Sequence, residues 1–352
     1  LMKKIIPHSR PSLGAEECAA AVKVIKSGFL AQGAETAGLE RDCASLVGVR
    51  QGAAVSSGTA ALYLALRALG AGPGREVVMP SYVCSSLWHA VKLCGAAPVL
   101  ADSDPETFNL DPVSVKRSFG RKTAAVIVPH MFGLPAHVRE IARLGVPVVE
   151  DCAQALGARS GGRRCGSSGA ASVLSFYATK LAAAGEGGMV LSASEKVIRR
   201  VRDLRAYDGL VPDEPRFNFK LTDLQAAVAR VQLRRLKTFL ARRAALAREY
   251  GDLLGGVVGL PRQEDGRIYH RYVVILPRKV KAEDVEARLE RRGVCARKPV
   301  FRPLHLHVAC RGRFPGTEKA WQSALSLPLY PEMTAAQCRF VAAQLSKVLK
   351  GC

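Results

Sequence analysis

The sequence has no apolar run that approaches the roughly 18 residues a membrane-spanning helix needs, although 48% of its 352 residues are hydrophobic. The opening string LMKKIIPHSRP contains lysines but no apolar stretch as long as that of a signal peptide. We therefore predict a soluble, cytoplasmic protein without a membrane partner. A chain of this length and composition can bury a large core, in one large domain or two linked ones.

Close cysteine pairs and the common nucleotide-binding motifs are also missing. The ten cysteines are scattered and form no C-x-x-C pair, whereas zinc sites and redox motifs usually contain such pairs. No G-x-G-x-x-G motif follows a predicted strand, and Gly166 is followed by Ser167 where a P-loop requires lysine. The sequence therefore predicts no metal site, no dinucleotide-binding motif and no P-loop.

Aromatic residues are scarce at 6%, whereas 52 Lys and Arg against 30 Asp and Glu give a net charge of +22. Basic residues that bind single-stranded nucleic acid are interleaved with aromatic ones, and that pattern does not occur here. The densest basic stretch, residues 230–248, has apolar residues at helical spacing and is predicted to be a dimer or domain face. We favour a positive field that attracts phosphorylated small molecules over a nucleic-acid partner.

Residues 55–193 alternate short apolar runs with helical patterns. This alternation predicts an α/β domain with a largely parallel sheet. The predicted strands are 76–79, 98–101, 124–128, 147–149, 171–176 and 188–191, with helices such as 59–69 and 137–144 between them.

A long helix is predicted to begin at Thr222, because Thr222 and Gln225 match a capping box and apolar residues recur at helical spacing behind them. We place a domain boundary near residue 240. The prediction is a large α/β domain, residues 1–240, and a smaller C-terminal α+β domain, residues 241–352. The smaller domain is predicted to contain strands 269–276 and 294–298, a helix 282–292, and a last helix capped by Thr334 and Gln337.

Four short strings in the predicted large domain contain residues that could take part in catalysis or ligand binding. SSGTAA (56–61) opens a helix, whose first N–H groups can bind an anion. Asp151 follows the predicted strand 147–149, at the end where ligands of open α/β sheets bind. Lys180 ends the string SFYATK, and a lysine with a lowered pKa is a nucleophile. The glycines of GEGGM (185–189) allow tight turns beside a ligand. Each string alone also fits an ordinary helix start, cap, surface lysine or turn.

Together these strings resemble the active-site segments of the DegT/StrS family of nucleotide-sugar aminotransferases. SFYATK with GEGGMV is similar to the family's lysine segment, EDCAQALGA to its aspartate segment and SSGTAAL to its phosphate loop. PSYVC, FNFKLTDLQAA and SLPLYP resemble further landmarks in the same order, so the resemblance covers residues 10–340. It implies the aspartate-aminotransferase-like fold of transferases that depend on pyridoxal 5′-phosphate (PLP).

The resemblance implies how the PLP ring is held. Lys180 would bind the cofactor covalently and then act as the base that moves the reacting proton. Asp151 would pair with the pyridine nitrogen, Gln154 with the phenolic oxygen, and Ala153 would pack on one ring face. Cys84, in PSYVC, stands where the family often has an aromatic residue against the other face. A thiol covers a ring less extensively than an aromatic group does.

The resemblance also implies how the phosphate is held. Gly58, Thr59 and Ser175 would bind it within one chain, and Asn218 would reach the phosphate of the neighbouring subunit. A homodimer with shared active sites follows from that role of Asn218. Some members of the family have histidine in place of the lysine and act as dehydratases, so the presence of Lys180 favours transamination.

The predicted substrates are a nucleotide-linked keto sugar and an amino-acid donor, glutamate by resemblance to the family. His305 matches a histidine that lies near the sugar site in the family; the alternative is a loop histidine. His89, His130 and His270 are predicted to be packing or surface residues, and no arginine stands out as a ligand for the glutamate carboxylate. Two alternatives stay open: the same chemistry on a keto-cyclitol or another non-sugar ketone, and a non-catalytic PLP-binding regulatory protein.

Overall fold

The computed structural model describes residues 5–208, 214–308, 310 and 312–351. No helix within these residues combines the length and the apolar content that crossing a membrane requires. In chain order the described α-helices are α1 (Ala15–Ser27), α2 (Ala34–Val47), α3 (Gly58–Ala68), α4 (Ser86–Leu93), α5 (Pro112–Ser118), α6 (Val138–Ala142), α7 (Glu195–Leu204), α8 (Asp223–Leu254), α9 (Ala282–Glu290), α10 (Pro315–Ser323) and α11 (Ala335–Lys350). Short 3-10 helices cover Met131–Gly133 and Leu304–Leu306.

A seven-stranded sheet organises the larger part of the chain. The described strands of all sheets are, in chain order, β1 (Gln51–Val55), β2 (Glu76–Pro80), β3 (Ala97–Ala101), β4 (Thr123–Pro129), β5 (Val148–Asp151), β6 (Arg159–Ser160), β7 (Arg163–Arg164), β8 (Ala171–Ser175), β9 (Gly188–Ser192), β10 (Tyr272–Ile275) and β11 (Ala324–Leu327). The large sheet has the order β1-β9-β8-β5-β4-β2-β3, while β10 pairs with β11 and β6 with β7.

The large sheet is mostly parallel, as predicted. Strands β3, β2, β4, β5 and β8 pair in parallel, and only β9 runs against them, since both β8 and β1 pair with it antiparallel. All six predicted strands of this region are confirmed, with ends that differ by one or two residues. Apart from the edge strand β3, they are almost continuously buried, completely so in β4 and β9, as is typical of parallel strands covered by helices on both faces.

The C-terminal part of the chain forms its own apolar cluster. Buried side chains from Leu246 to Val348 pack there around β10, β11 and α11, and Ile6 joins them. The predicted boundary at residue 240 falls inside the 32-residue helix α8, so the division into two domains stays a prediction.

One predicted strand of this part is wrong. Residues 294–298 form no continuous strand, because their pairing changes partner along the segment: Val294 bridges to Ile6, and Arg297 to Ser326. The partner of β10 is instead β11, which lies in the string ALSLPLYP and was not predicted as a strand.

Basic residues of α8 pair with acidic residues of neighbouring helices, while the predicted dimer or domain face stays a prediction. Arg230 pairs with Glu35 and Asp42 of α2, and Arg235 pairs with Glu17 of α1. The predicted cap of this helix forms only in part. Thr222 Oγ1 accepts the N–H of Gln225, but the Gln225 side chain accepts from the Thr222 hydroxyl, not from its backbone. The capping box of Thr334 and Gln337 in α11 is complete.

Candidate active site

The candidate site lies at the carboxyl-terminal edge of the large sheet. Asp151 is the last residue of β5, Ser175 is the last residue of β8, and Gly58 begins α3 just after β1. Parallel strands end at one edge, so residues far apart in the chain meet there. They enclose a cavity of about 320 Å³.

Eight residues predicted from the sequence line this cavity: Gly58, Thr59, Cys84, Asp151, Ala153, Gln154, Ser175 and Lys180. The structure thus brings them together, while their individual roles stay predictions. A larger groove, of about 870 Å³ beside Trp321, is lined by none of them. We therefore take the smaller cavity, which holds the predicted catalytic and cofactor-binding side chains, as the candidate active site.

The turn that carries Lys180 is closed by the glycine string that follows it. The Lys180 N–H donates to the Tyr177 carbonyl (2.8 Å), and the Ala178 N–H to the Gly185 carbonyl (3.0 Å). Gly185 and Gly187 have φ angles of 81° and 140°, in the region that favours glycine. The predicted tight turns therefore exist, and they fix the backbone of Lys180.

The Lys180 amine is partly buried beside charged and polar groups. Burial lowers its pKa, Cys84 and Asp151 oppose that effect, and the Arg271 guanidinium lowers the pKa further. The pKa of Lys180 consequently lies below that of an ordinary lysine. A larger fraction of neutral, nucleophilic amine is present near neutral pH.

Asp151 places a carboxyl group in the same cavity. Burial raises its pKa, while the Ala153 N–H, Lys180 and His130 act in the opposite direction and do not overcome it. The Ala153 N–H donates to Asp151 Oδ1 at 3.0 Å. A carboxylate held in this environment is best stabilised by a cationic N–H group.

The start of α3 approaches β8 closely. Ser57 caps the helix, and its Oγ accepts the Ala60 N–H. A Cβ on Gly58 would lie 2.9 Å from Ser175 Cβ, and one on Gly188 would lie 2.3 Å from the Ser57 carbonyl oxygen. The first N–H groups of a helix have no partner within the helix and attract anions. The close approach therefore presents both this helix end and the Ser175 hydroxyl to the cavity.

Gln154 and Cys84 complete the cavity wall. Gln154 Oε1 accepts the Phe132 N–H at 3.1 Å, which orients the amide and leaves its NH₂ group to donate. Cys84 Sγ lies 2.9 Å from Ser86 Oγ. Both residues therefore offer polar or polarisable atoms to a bound molecule.

His305 and Asn218 do not line the cavity. His305 Nδ1 lies 2.7 Å from Ser81 Oγ, and its ring stacks on Phe314 with centroids 4.8 Å apart. Ser81 directly follows β2, so His305 supports the strand end from which the chain continues to Cys84. Asn218 is exposed, and its predicted role across subunits stays a prediction.

The sequence analysis missed the role of Glu150, beside Asp151. The buried Glu150 carboxylate accepts three N–H groups of the loop 166–169 at 2.6–2.8 Å, and lies 3.0 Å from His130 Nε2. His130 Nδ1 accepts the Ala136 N–H, so Nε2 is the nitrogen that donates to Glu150. His130, Glu150 and Cys152 are close enough to hold a metal, but both nitrogens of His130 already have partners. The group instead anchors the loop between β5 and β8.

The fold defines the class of this protein. The mixed seven-stranded sheet with its C-terminal α/β part is the fold of PLP-dependent aminotransferases, as the sequence predicted. The crystal structure of Spr1654 from Streptococcus pneumoniae in its PLP form matches with a TM-score of 0.92, over 99% of this chain and 99% of that one. At 22% identity this likeness shows the fold alone.

Nearer relatives give the family. The DegT/DnrJ/EryC1/StrS aminotransferase family matches residues 11–346, so the chain belongs to that family and is an enzyme of the aminotransferase class. The aminotransferase TlmJ from Streptoalloteichus hindustanus is 34% identical, with a TM-score of 0.94 and 99% coverage of both chains. S. venezuelae DesV, crystallised in complex with a ketimine intermediate, is 33% identical, with a TM-score of 0.88 and coverage of 95% and 94%.

Proposed function

We propose that this protein is a PLP-dependent aminotransferase that transfers an amino group from glutamate to a nucleotide-linked keto sugar. The observation that carries the proposal is the meeting of Lys180 and Asp151 in one cavity, at the ends of neighbouring strands. The ketimine complex of the 33% identical DesV supports amino transfer as the reaction.

The residues of the cavity fit PLP. Its volume of about 320 Å³ is within the range of small-molecule sites. The start of α3 and the hydroxyls of Thr59 and Ser175 suit a phosphate. Asp151 suits a protonated ring nitrogen, and Gln154 has an amide NH₂ group for an oxygen acceptor. The PLP form of Spr1654 supports the same cofactor in this fold.

When bound, PLP supplies an electron sink for the negative charge that develops at the carbon bearing the amine. Asp151 holds a proton at the ring nitrogen by placing a carboxylate beside it. Lys180 Nζ takes the proton from the amine-bearing carbon and later returns it, and its lowered pKa keeps it competent as a base near neutral pH. Gln154, oriented by the Phe132 N–H, donates to the oxygen on the ring.

The net charge supports the proposed substrate, and an exposed apolar surface supports the proposed dimer. The net charge of +22 attracts the diphosphate of a nucleotide sugar. Ile25, Phe29 and Leu30 are exposed by 58%, 81% and 49%, and an apolar surface of this kind is typical of protein contacts. We infer a cytoplasmic homodimer in which Asn218 reaches the neighbouring site.

The proposal is tested first by covalent trapping of the cofactor. We expect the purified protein with added PLP to absorb visible light, and borohydride to fix the cofactor on Lys180, as detected by mass spectrometry of its peptides. Glutamate should remove the visible absorbance, and a nucleotide-linked keto sugar should restore it. A protein that is colourless after incubation with PLP and removal of the free cofactor would contradict the proposal. Restoration only by a keto-cyclitol would instead assign that substrate.

The close contact at Gly58 gives a second test. Gly58→Ala would push the new Cβ against Ser175, and we expect PLP affinity to fall about 30-fold, equivalent to roughly 2 kcal/mol. Titration of the visible absorbance with PLP measures this effect. Gly120→Ala is the matched control, because a Cβ there meets nothing within 4 Å. Equal affinities of the two variants would remove Gly58 and Ser175 from the phosphate site.

A further inference from the structure

A cationic side chain from the C-terminal part of the chain lies beside the lysine. Arg271 directly precedes β10, and its guanidinium is close enough to Lys180, Cys84 and Tyr82 to influence their charges or be influenced by them. Together with Thr179, the neighbour of Lys180, it borders a small cavity of about 10 Å³. Arg271 therefore adjoins the catalytic region, although no sequence motif marked it.

The charge of Arg271 is not compensated within the described part of the chain. Other enclosed arginines have oxygen acceptors: Arg205 pairs with the Glu40 carboxylate, and Arg243 donates to two backbone carbonyls. Across residues 5–208, 214–308, 310 and 312–351, no carboxylate forms an ion pair with Arg271. A desolvated cation without a counter-ion costs free energy.

The histidine that contacts Arg271 does not supply the missing negative charge. Arg271 Nη1 lies 3.2 Å from His8 Nε2, and burial together with Arg271 and Arg297 lowers the pKa of His8 to about 3. His8 is therefore neutral at physiological pH. It orients the guanidinium without balancing it.

A second polar group nearby also lacks a partner. Tyr82 is fully buried, and among the described residues its hydroxyl has no hydrogen-bond partner. Burial raises the pKa of this phenol, so the group stays protonated and is a donor. An unsatisfied buried donor destabilises the fold. The guanidinium of Arg271, beside a phenol that carries no negative charge, is therefore suited to an anionic ligand.

We infer that Arg271 binds the α-carboxylate of the amino-acid donor. This inference rests on the proposed function and names the donor-recognition residue that it requires. The α-carboxylate is attached to the carbon whose proton Lys180 moves, so a cation near Lys180 is placed for it. Bound carboxylate would also offset the positive field of Arg271 at Lys180, and the lysine becomes a stronger base when donor is present.

Two amides of glutamate distinguish the α- from the γ-carboxylate. L-Isoglutamine lacks the α-carboxylate and keeps the γ one, whereas L-glutamine does the reverse. In the wild-type holoenzyme we expect kcat/KM of the donor half-reaction to fall about 100-fold from glutamate to isoglutamine, as for a lost charge-assisted pair. Arg271→Gln should lower kcat/KM for glutamate by a similar factor and leave that for isoglutamine unchanged. An Arg271→Gln enzyme that still discriminates against isoglutamine would overturn the inference.

Binding without turnover gives an independent readout. α-Methyl-L-glutamate has no α-proton, and its affinity for the PLP-loaded enzyme can be measured by calorimetry. We expect Arg271→Gln to weaken it at least about 30-fold, and Arg278→Gln, an exposed arginine beyond the same strand, to leave it unchanged. Displacement of the probe by inorganic phosphate but not by glutamate would assign Arg271 to the acceptor's phosphate and contradict the inference.

Stability of the variant separates binding from a structural role. Arg271→Met removes an uncompensated cation and keeps the length of the side chain, so we expect a melting temperature equal to or above that of the wild type. A clearly lower melting temperature would show that Arg271 is structural and would overturn the inference. A wild-type enzyme that reacts with no amino-acid donor would instead refute the proposed function. A wild-type enzyme that uses glutamate no better than Arg271→Gln refutes only the role of Arg271.

Discussion

Replacing Lys180 by alanine is expected to leave PLP bound but to reduce transamination by at least about 10⁴-fold, because the variant lacks both the nucleophile and the base. Binding persists because the other groups assigned to PLP, Asp151 and the start of α3 with Ser175, are unchanged. Spectroscopic titration with PLP and stopped-flow mixing with glutamate measure the two effects separately.

A matched lysine and a small amine make this experiment specific. Lys196→Ala removes an exposed lysine of α7 and should leave the rate within about twofold of the wild type. Added methylamine should restore part of the activity of Lys180→Ala, because a free base can enter the opened space. Unchanged activity of Lys180→Ala would remove the lysine from its assigned role.

The part of the site that follows strand ends could be predicted from the sequence. Asp151, Ser175 and Gly58 stand directly after apolar runs, and the carboxyl ends of parallel strands converge at one edge. Lys180 is only five residues beyond β8, so a local turn delivers it to the same place. Pattern and chain direction placed these residues at one edge of the sheet, and the family resemblance singled them out as site residues.

The part of the site built by contacts between distant segments could not be predicted in this way. Arg271 and His8 approach Lys180 only because the N-terminal and C-terminal segments pack against the large sheet. Glu150 looks like half of an acidic pair in the sequence, and its role in anchoring the loop 166–169 is visible only from its three N–H donors. The contact of His305 with Ser81 is likewise visible only in the structure, and its predicted contact with substrate stays a prediction.

The same distinction between local and long-range contacts explains why the strand predicted at residues 294–298 does not form. Residues 294–298 begin with a short apolar run that suits a strand, but their backbone donors are shared between Ile6 and Ser326. The pairing partners of a strand come from elsewhere in the chain, so composition alone cannot decide whether a continuous ladder forms. Helices depend on local bonds, and the predicted helix 282–292 is accordingly confirmed as α9, with its end two residues earlier.

Asp151→Asn is expected to separate activity from stability. The amide keeps an oxygen that accepts the Ala153 N–H but loses the negative charge that holds a proton on the ring nitrogen. We expect the rate of the donor half-reaction to fall roughly 10³-fold, as when a positioned electrostatic group is removed from an active site. Stopped-flow loss of the visible absorbance with glutamate measures the rate.

The apoprotein of the same variant should be more stable, and the sign follows from the carboxyl group. Burial raises the pKa of Asp151 in the folded chain, so between its ordinary value, near 4, and its folded value the native state binds the extra proton. Stability therefore falls as pH rises through that interval and stays lower above it. Asp151→Asn has no such loss, and we expect its apoprotein to gain roughly 1 kcal/mol at neutral pH, as is typical when a functional group yields to stability. Urea unfolding at pH 4 and pH 8 measures the difference. If the stability of both apoproteins depended equally on pH, or if the variant were less stable at pH 8, Asp151 would be a residue that supports the fold and not one that binds a cationic ring.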